Sequence, residues 1–130
     1  MPVVRTSENY LCEGNRPDWC KVTSAGVFRV STSGGRFDLH HYDFHEYWLI
    51  SRGKAKVRSE GVEYYVKAGD IVCTHAGEEH DFVEVYEDIE AFWFEDPCPE
   101  NGRTGHLHRT AEAAKGHAVP CLSVPEDFPA

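Results

Sequence analysis

The sequence has 130 residues, 41% of them hydrophobic, which predicts one domain, 1–130, with a single modest core. Its 22 acidic and 13 basic side chains give a formal net charge of -9, which argues against nucleic acids and anionic membrane surfaces as partners. No run of about 18 apolar residues could cross a bilayer, and Arg5, Glu8, Glu13 and Arg16 interrupt the region where a signal peptide needs an apolar core, so we expect a cytoplasmic protein.

Short stretches rich in Val, Ile, Phe, Tyr and Trp, separated by glycine-containing turns, predict eight β-strands. In chain order they span 26–30, 37–41, 47–51, 55–58, 62–66, 71–74, 81–86 and 89–95. Turns are predicted between them, among others at 33–35, 52–53 and 68–70. Because only 110–115 has a helical pattern, we expect an antiparallel sandwich or barrel over about 22–95.

The last 35 residues, about 96–130, contain five of the seven prolines and little periodicity. They are predicted to form an irregular tail that wraps over the barrel, crosses to a second subunit or frays. Within the tail, His106 and His108 alternate as in a strand, and Arg103 or Arg109 could bind a carboxylate or phosphate. The favoured interpretation is a polar tail on the barrel surface.

Five cysteines are widely spaced and include no CxxC pair: Cys12, Cys20, Cys73, Cys98 and Cys121. This pattern favours reduced thiols over a disulfide framework or a cysteine zinc site.

A first cluster of polar residues has the pattern G-x5-H-x-Y-x3-E-x6-G between Gly34 and Gly53. It contains His40, Tyr42 and Glu46. Residues two apart in a strand share a face, so His40 and Tyr42 point the same way and His41 points the other way. Two open explanations remain for this cluster: a solvated strand end, or side chains that converge on a metal.

A second cluster, fifteen residues further on, has the pattern G-x5-H-x-G-x2-H-x3-E from Gly69 to Glu84. It contains His75 and His80. By the same alternation, Glu84 is expected on the face of His80 and Phe82, where it would be a candidate general base or a rim carboxylate.

Together the two clusters resemble the paired motifs of the cupin superfamily, G-x5-H-x-H-x3-4-E-x6-G and G-x5-P-x-G-x2-H-x3-N. The resemblance implies an all-β jelly-roll barrel that holds a metal, with His40, Glu46 and His80 as ligands. Three positions depart from the pattern: Tyr42 replaces a histidine, His75 a proline and Glu84 an asparagine. Two imidazoles and one carboxylate suit one divalent ion of Fe, Mn, Ni, Co or Zn.

Tyr42 has two interpretations, because a phenol with a pKa of about 10 binds a metal well only when it ionises. It is either a ligand or proton donor, or an inward aromatic that leaves a coordination position for water or substrate.

A one-residue slip that places His41 at the first ligand position is ranked second, because it shortens the spacing to Glu46 and turns the strand over. His41 and His45 are expected on the outer face, His75 in a turn, and Trp48 with Phe82 in the core.

The leading functional hypothesis is a metal-dependent enzyme that acts on a sugar, hydroxy acid or keto acid. The reaction would be an isomerisation, an elimination or a related proton transfer. The metal would polarise a substrate oxygen, and Tyr42 and Glu84 would be the acid and base. An Fe(II) dioxygenase with the same ligands and a non-catalytic ligand-binding or sensory module are the alternatives. The resemblance and the exposed strand edges also predict a homodimer, with 2–6 as a segment that could cross between subunits.

Overall fold

The computed structural model describes residues 3–130, so the predicted subunit-crossing segment 2–6 begins outside the described residues. Residues 3–130 form seven strands and one short helix. In order they are β1 (Ser24–Val30), β2 (Arg36–Phe37), β3 (Glu46–Ser59), β4 (Val62–Lys67), β5 (Ile71–Thr74), β6 (His80–Glu95), α1 (Ala111–Lys115) and β7 (His117–Ala118).

The main sheet is antiparallel, with strand order β1-β6-β3-β4, and β5 pairs with the first part of β3. Strand β2 pairs with β7 in a separate two-stranded sheet. The predicted jelly-roll β-barrel is thus confirmed. Inward side chains of β1, β3, β4 and β6 form its core, together with one residue of the tail. These core residues are Val30, Trp48, Ile50, Ala55, Val57, Val66, Phe82, Val85, Ile89, Ala91 and Val119.

Two predicted chain breaks do not occur: β3 continues through the turn predicted at 52–53, and β6 continues through the gap left between the predicted strands 81–86 and 89–95. Strand β3 runs through Gly53, which has φ +96°, and a Cβ atom there would lie 2.1 Å from the carbonyl oxygen of Asp88. Glycine therefore lets the two long strands pass close together where their pairing register shifts. The sequence pattern predicted four short strands where the structure has two long ones.

The tail packs onto the barrel of its own chain. The predicted helix is confirmed as α1, whose N-cap Thr110 accepts a hydrogen bond from the Ala113 amide. After α1, His117 forms a hydrogen bond with the fully buried carboxylate of Asp81, which also accepts a hydrogen bond from Arg58. Near the end of the chain, Asp127 accepts a hydrogen bond from the Tyr65 hydroxyl. Within the described residues, no helix is long and apolar enough to cross a membrane.

Candidate metal site

Three predicted ligands converge inside the barrel. His40, Glu46 and His80 are each no more than 2% exposed, and one donor atom from each lies within 4.8 Å of the other two. Nε2 of His80 is 3.0 Å from Oε1 of Glu46. We call these three residues the buried cluster.

Backbone pairing explains this convergence. His40 and His80 form an isolated antiparallel bridge, with each backbone amide bonding the carbonyl oxygen of the other residue at 3.3 and 2.9 Å. Glu46 begins β3, and its carbonyl oxygen accepts a hydrogen bond from the Thr74 hydroxyl at 2.9 Å. Backbone pairing therefore fixes the positions of the three candidate ligands.

The imidazoles of the buried cluster turn their lone pairs inward. Nδ1 of His40 donates to the Asp38 carbonyl oxygen at 2.7 Å, and Nδ1 of His80 donates to the Glu78 carbonyl oxygen at 3.1 Å. A carbonyl oxygen can only accept, so each Nδ1 carries the proton and each Nε2 presents a lone pair. In His80 this lone pair faces a carboxylate oxygen, an arrangement that needs a proton or a metal cation between the two atoms. The donor set thus fits a divalent transition metal.

Burial keeps both histidines neutral. It lowers the pKa of His40 to about 3, with the neighbouring His80 and His106 adding to the effect, and it lowers the pKa of His80 to about 4. Burial also raises the pKa of Glu46 to about 7. Near neutral pH the imidazoles are therefore ready to bind a metal, and the proton that competes with the metal is the one on Glu46.

Glu95, at the end of β6, is a second buried carboxyl group in the site. It pairs across the sheet with Glu46 and is 7% exposed. Burial, the hydrogen bond between the two side chains and the charge of Glu46 together raise the pKa of Glu95. Two adjacent carboxyl groups do not both ionise readily, so the pair retains a proton at neutral pH.

Tyr42 lies beside the buried cluster and is 6% exposed. Its ring is edge-on to His40, with 5.2 Å between ring centroids, and it lines the same cavity as Glu46. Burial and the charges of Glu46 and Glu95 raise the pKa of the phenol above its ordinary value. In this environment Tyr42 remains protonated and can donate a hydrogen bond.

Glu84 does not join the site, which corrects the prediction that it shares the face of His80 and Phe82. The register of β3 and β6 shifts here, so that Phe82 pairs with Val57 while Glu84 pairs with the neighbouring Lys56. Adjacent residues of a strand point to opposite faces, so Glu84 faces away from Phe82. There its carboxylate accepts a hydrogen bond from the Tyr86 hydroxyl at 2.5 Å and lies 3.6 Å from Lys56 Nζ.

The other histidines of the two sequence clusters lie outside the buried cluster. The backbone of His41 pairs with Leu107 of the tail, so the structure turns His40 inward, in the favoured register. Nδ1 of His45 accepts a hydrogen bond from the Ala76 amide at 2.9 Å. The ring of His75 packs against His45 at a turn.

A cavity of about 870 Å³ opens onto the buried cluster. His40, Tyr42, Glu46 and Trp48 line it together with Glu95. Its wall also includes residues of the N-terminal segment and of the tail, among them Arg16, Lys21 and His106. Phe82, predicted in the core with Trp48, stacks on the Trp48 ring at 5.0 Å and is fully buried.

The tail contributes His106 to this cavity. Its ring lies parallel to the His40 ring at a centroid distance of 3.8 Å, and Nδ1 bonds Oδ2 of Asp38 at 2.7 Å. Burial disfavours the charged imidazole, but the hydrogen bond to Asp38 and its charge raise the His106 pKa above the ordinary value. His108 bonds the same Asp38 oxygen at 2.6 Å.

The two tail arginines bind carboxylates of their own chain. Arg103 forms a two-pronged ion pair with Asp43, and Arg109 pairs with Glu60 and Glu79. They fix the tail and do not provide an anchor for a ligand.

Two residues near the buried cluster were not predicted from the sequence. Glu95 is the end of a correctly predicted strand, but only its pairing with Glu46 reveals its role. Asp38 occupies a variable position of the first motif, two residues before His40, and its partners lie in a tail segment about 70 residues away.

Comparison with known proteins gives a family match. The family model described as AraC-like ligand binding domain matches residues 27–100. None of the curated protein sequences matches the chain.

Solved structures share the fold. DMSP lyase DddQ from Ruegeria pomeroyi is 20% identical with a TM-score of 0.63, and the match covers 77% of this chain and 49% of the lyase. A cupin-2 domain protein from Rhodospirillum rubrum is 16% identical with a TM-score of 0.60, covering 82% and 66%. Salicylate 1,2-dioxygenase from Pseudoaminobacter salicylatoxidans, in adducts with gentisate, is 12% identical with a TM-score of 0.57, covering 67% and 24%. The chain therefore spans two thirds or less of each of these proteins.

Proposed function

Because the chain belongs to the AraC-like ligand-binding family within the cupin superfamily, we propose that it is a metal-dependent enzyme that transfers protons on a small hydroxy or keto acid. The reaction class is an isomerisation or an elimination. The metal is one divalent ion of Fe, Mn, Ni, Co or Zn, held by His40, Glu46 and His80.

One observation supports the metal most directly: the inward lone pair of His80 Nε2 lies 3.0 Å from a Glu46 carboxylate oxygen. Both atoms are fully buried, and buried acceptors that face each other need a cation or a proton between them. The neutral imidazoles and the single carboxylate leave coordination positions for a substrate.

Tyr42 is the proposed proton-transfer group. When bound, the metal would supply Lewis-acid stabilisation of negative charge on a substrate oxygen. The protonated phenol of Tyr42 faces the same cavity and can donate a hydrogen bond or a proton to the substrate oxygen, while water in the open cavity takes up the proton that leaves the carbon. Glu84 is absent from the cavity lining, whereas Glu95 lines it next to Glu46, with which it pairs across the sheet.

Arg16 supports an acid as the substrate. It is half-buried in the cavity wall, where Nη1 donates to the Val22 carbonyl oxygen at 2.7 Å. Within residues 3–130 no carboxylate forms an ion pair with it, whereas Arg103 and Arg109 are both paired. A guanidinium has five N–H donors, so Arg16 retains donors for the carboxylate of a ligand.

The test is a proton-exchange assay on protein loaded with Mn²⁺ or Zn²⁺. A panel of C3 to C6 hydroxy and keto acids is incubated in D₂O, and loss of C–H signals is followed by NMR. We expect exchange with at least one acid, and loss of exchange in Tyr42→Phe with its metal retained. Acid binding should be weaker in Arg16→Gln than in Arg29→Gln, because Arg29 is exposed on β1, where it pairs with Glu90 away from the cavity. Tight binding of an acid that is recovered without exchange would instead indicate a ligand-binding module.

The second candidate is an Fe(II) dioxygenase. The two-histidine, one-carboxylate donor set with open positions also suits iron and oxygen. Oxygen consumption by the Fe(II) form with an added acid, absent from the Zn²⁺ form, would favour this reaction over proton transfer.

We also propose a homodimer. Leu49 pairs with Ile71 across β3 and β5, and both side chains are exposed on the outer face that Phe94 shares. Exposed apolar side chains on one sheet face are typical of subunit contacts. Sedimentation of the wild type and of Ile71→Lys tests this, and a wild-type monomer at all concentrations would refute it.

A further inference from the structure

A second group of metal-type donors lies outside the buried cluster. Asp38, His106 and His108 each place one donor atom within 4.8 Å of the other two. We call these residues the exposed cluster, and we propose that it is a second metal site, one that joins the tail to the barrel. It does not depend on the reaction proposed for the buried cluster.

The backbone directs these side chains to one point. Leu107, between the two histidines, forms both hydrogen bonds of an antiparallel bridge with His41, at 2.9 and 3.0 Å. In extended backbone, residues two apart share a face, so His106 and His108 project together toward Asp38. Nδ1 of His106 and Nε2 of His108 both approach Oδ2 of Asp38, at 2.7 and 2.6 Å.

The charges around Asp38 favour a cation. Within residues 3–130 only histidines lie within ion-pair distance of its carboxylate, while the nearby Arg103 and Arg109 are bound to other carboxylates. A carboxylate with two imidazoles is a donor set for Zn²⁺ and similar ions. The side chains are 21–46% exposed, so water can complete the coordination sphere.

Metal binding requires a small local adjustment. Donor atoms of a tetrahedral zinc site, with bonds of about 2.0–2.1 Å, lie roughly 3.3 Å apart. The imidazoles of His106 and His108 would therefore move away from Asp38 by roughly 0.6 Å. The tail can make this movement because the exposed cluster lies partly at the surface.

The site has a consequence for the cavity, because Thr104, Gly105 and His106 form part of its wall. A metal at the exposed cluster would hold this stretch of the tail in place over the buried cluster. Its removal would free the same stretch to move and open the cavity.

The experiment measures bound metal by equilibrium dialysis of the untagged full chain against micromolar Zn²⁺, followed by mass spectrometry. We expect about two equivalents in the wild type, one in His80→Ala, one in His108→Gln and none in the double variant. The glutamine side chain of the His108→Gln variant retains an N–H donor near the position of Nε2, so it preserves the hydrogen bond to Asp38 but is a poor zinc ligand. His75→Gln, at an exposed histidine outside both clusters, is the matched control and should retain two equivalents.

A second measurement avoids any folding defect of the His108 variant. In His80→Ala, Zn²⁺ should slow amide hydrogen exchange across 103–109 at least several-fold, with little change elsewhere. One equivalent in the wild type that disappears in His80→Ala, or zinc uptake that does not depend on His108, would overturn the second site. So would exchange in 103–109 that does not respond to zinc, because Asp38 would then be a hydrogen-bond acceptor only.

Discussion

The buried and exposed clusters lie next to each other, and both combine two imidazoles with one carboxylate, but the fold builds them differently. In the buried cluster, strand pairing positions all three residues, and backbone carbonyl oxygens fix the tautomers of His40 and His80. In the exposed cluster, Asp38 belongs to the barrel while both histidines come from the tail. Asp38 connects the two, since its carbonyl oxygen holds His40 and its carboxylate holds the tail.

The two clusters therefore depend on the rest of the molecule in different ways. The buried cluster is complete once the barrel has folded, and its burial lowers the pKa of His40 and raises that of Glu46. The exposed cluster is complete only when the tail docks. We therefore expect substitutions in the buried cluster to change metal affinity most. Substitutions in the tail contacts should mainly change the mobility of the tail.

The largest expected effect is that of Glu46→Gln. Glutamine has nearly the same shape as glutamate, but this substitution removes the only carboxylate among the three proposed ligands of the buried cluster. Loss of an outer-shell partner typically costs 10–100-fold in metal affinity, so loss of this ligand should cost more than about 100-fold. Competition with a chromogenic chelator measures the affinity, in a His108→Gln background that isolates the buried cluster.

Glu84→Gln is the matched control for that substitution, because it makes the same chemical change in a residue that faces away from the site. Its metal affinity should match that of the parent. Equal losses in the two variants would show that net charge, rather than ligation by Glu46, governs binding.

The next effect is the pH dependence of metal binding. Burial raises the Glu46 pKa to about 7, so a proton competes with the metal below that pH, while His40 and His80 stay neutral down to about 4. In the His108→Gln background, affinity should fall about tenfold per pH unit from 7 to 5, since one proton is displaced, and level off above 8. A loss of affinity of about a hundredfold per pH unit would mean that a histidine is also protonated in this range, contrary to the structure.

The residues of the buried cluster could be picked out from the sequence, because the spacing of His40, Glu46 and His80 resembles the paired cupin motifs. The structure places these three side chains together inside the barrel. Glu84 was misassigned because the alternation of faces along a strand fails at the register shift between β3 and β6, which no local pattern reveals. Glu95 was missed because its partner lies on another strand.

The exposed cluster could not be predicted in the same way. The alternation of His106 and His108 was visible, but its partner Asp38 is about 70 residues away and carries no motif of its own. Whether the tail docks on the barrel or leaves it depends on tertiary contacts such as the burial of Asp81 under Arg58 and His117. Such contacts have no periodic signature.

Glu95 should have a smaller effect on the buried cluster than Glu46, because it acts through that residue. Glu95→Gln keeps a donor for Glu46, so metal affinity at pH 8 should stay within about threefold of the parent. Glu95→Ala removes the hydrogen bond and should weaken binding about tenfold, as expected for an outer-shell partner. Equal effects of Gln and Ala would assign Glu95 a packing role instead of a hydrogen-bonding one.

The smallest effect should come from Asp43→Asn, which weakens the exposed ion pair to Arg103 at the start of the docked tail. Exposed ion pairs contribute little to global stability, so the melting temperature should not change measurably. Hydrogen exchange across 101–109 should nevertheless speed up, because one of the contacts that hold this stretch is lost. Metal bound by the buried cluster should be unaffected, which would separate a rigid centre made by the barrel from a neighbouring centre whose order depends on the tail. A parallel loss of metal from the buried cluster would show that the two regions form one cooperative unit.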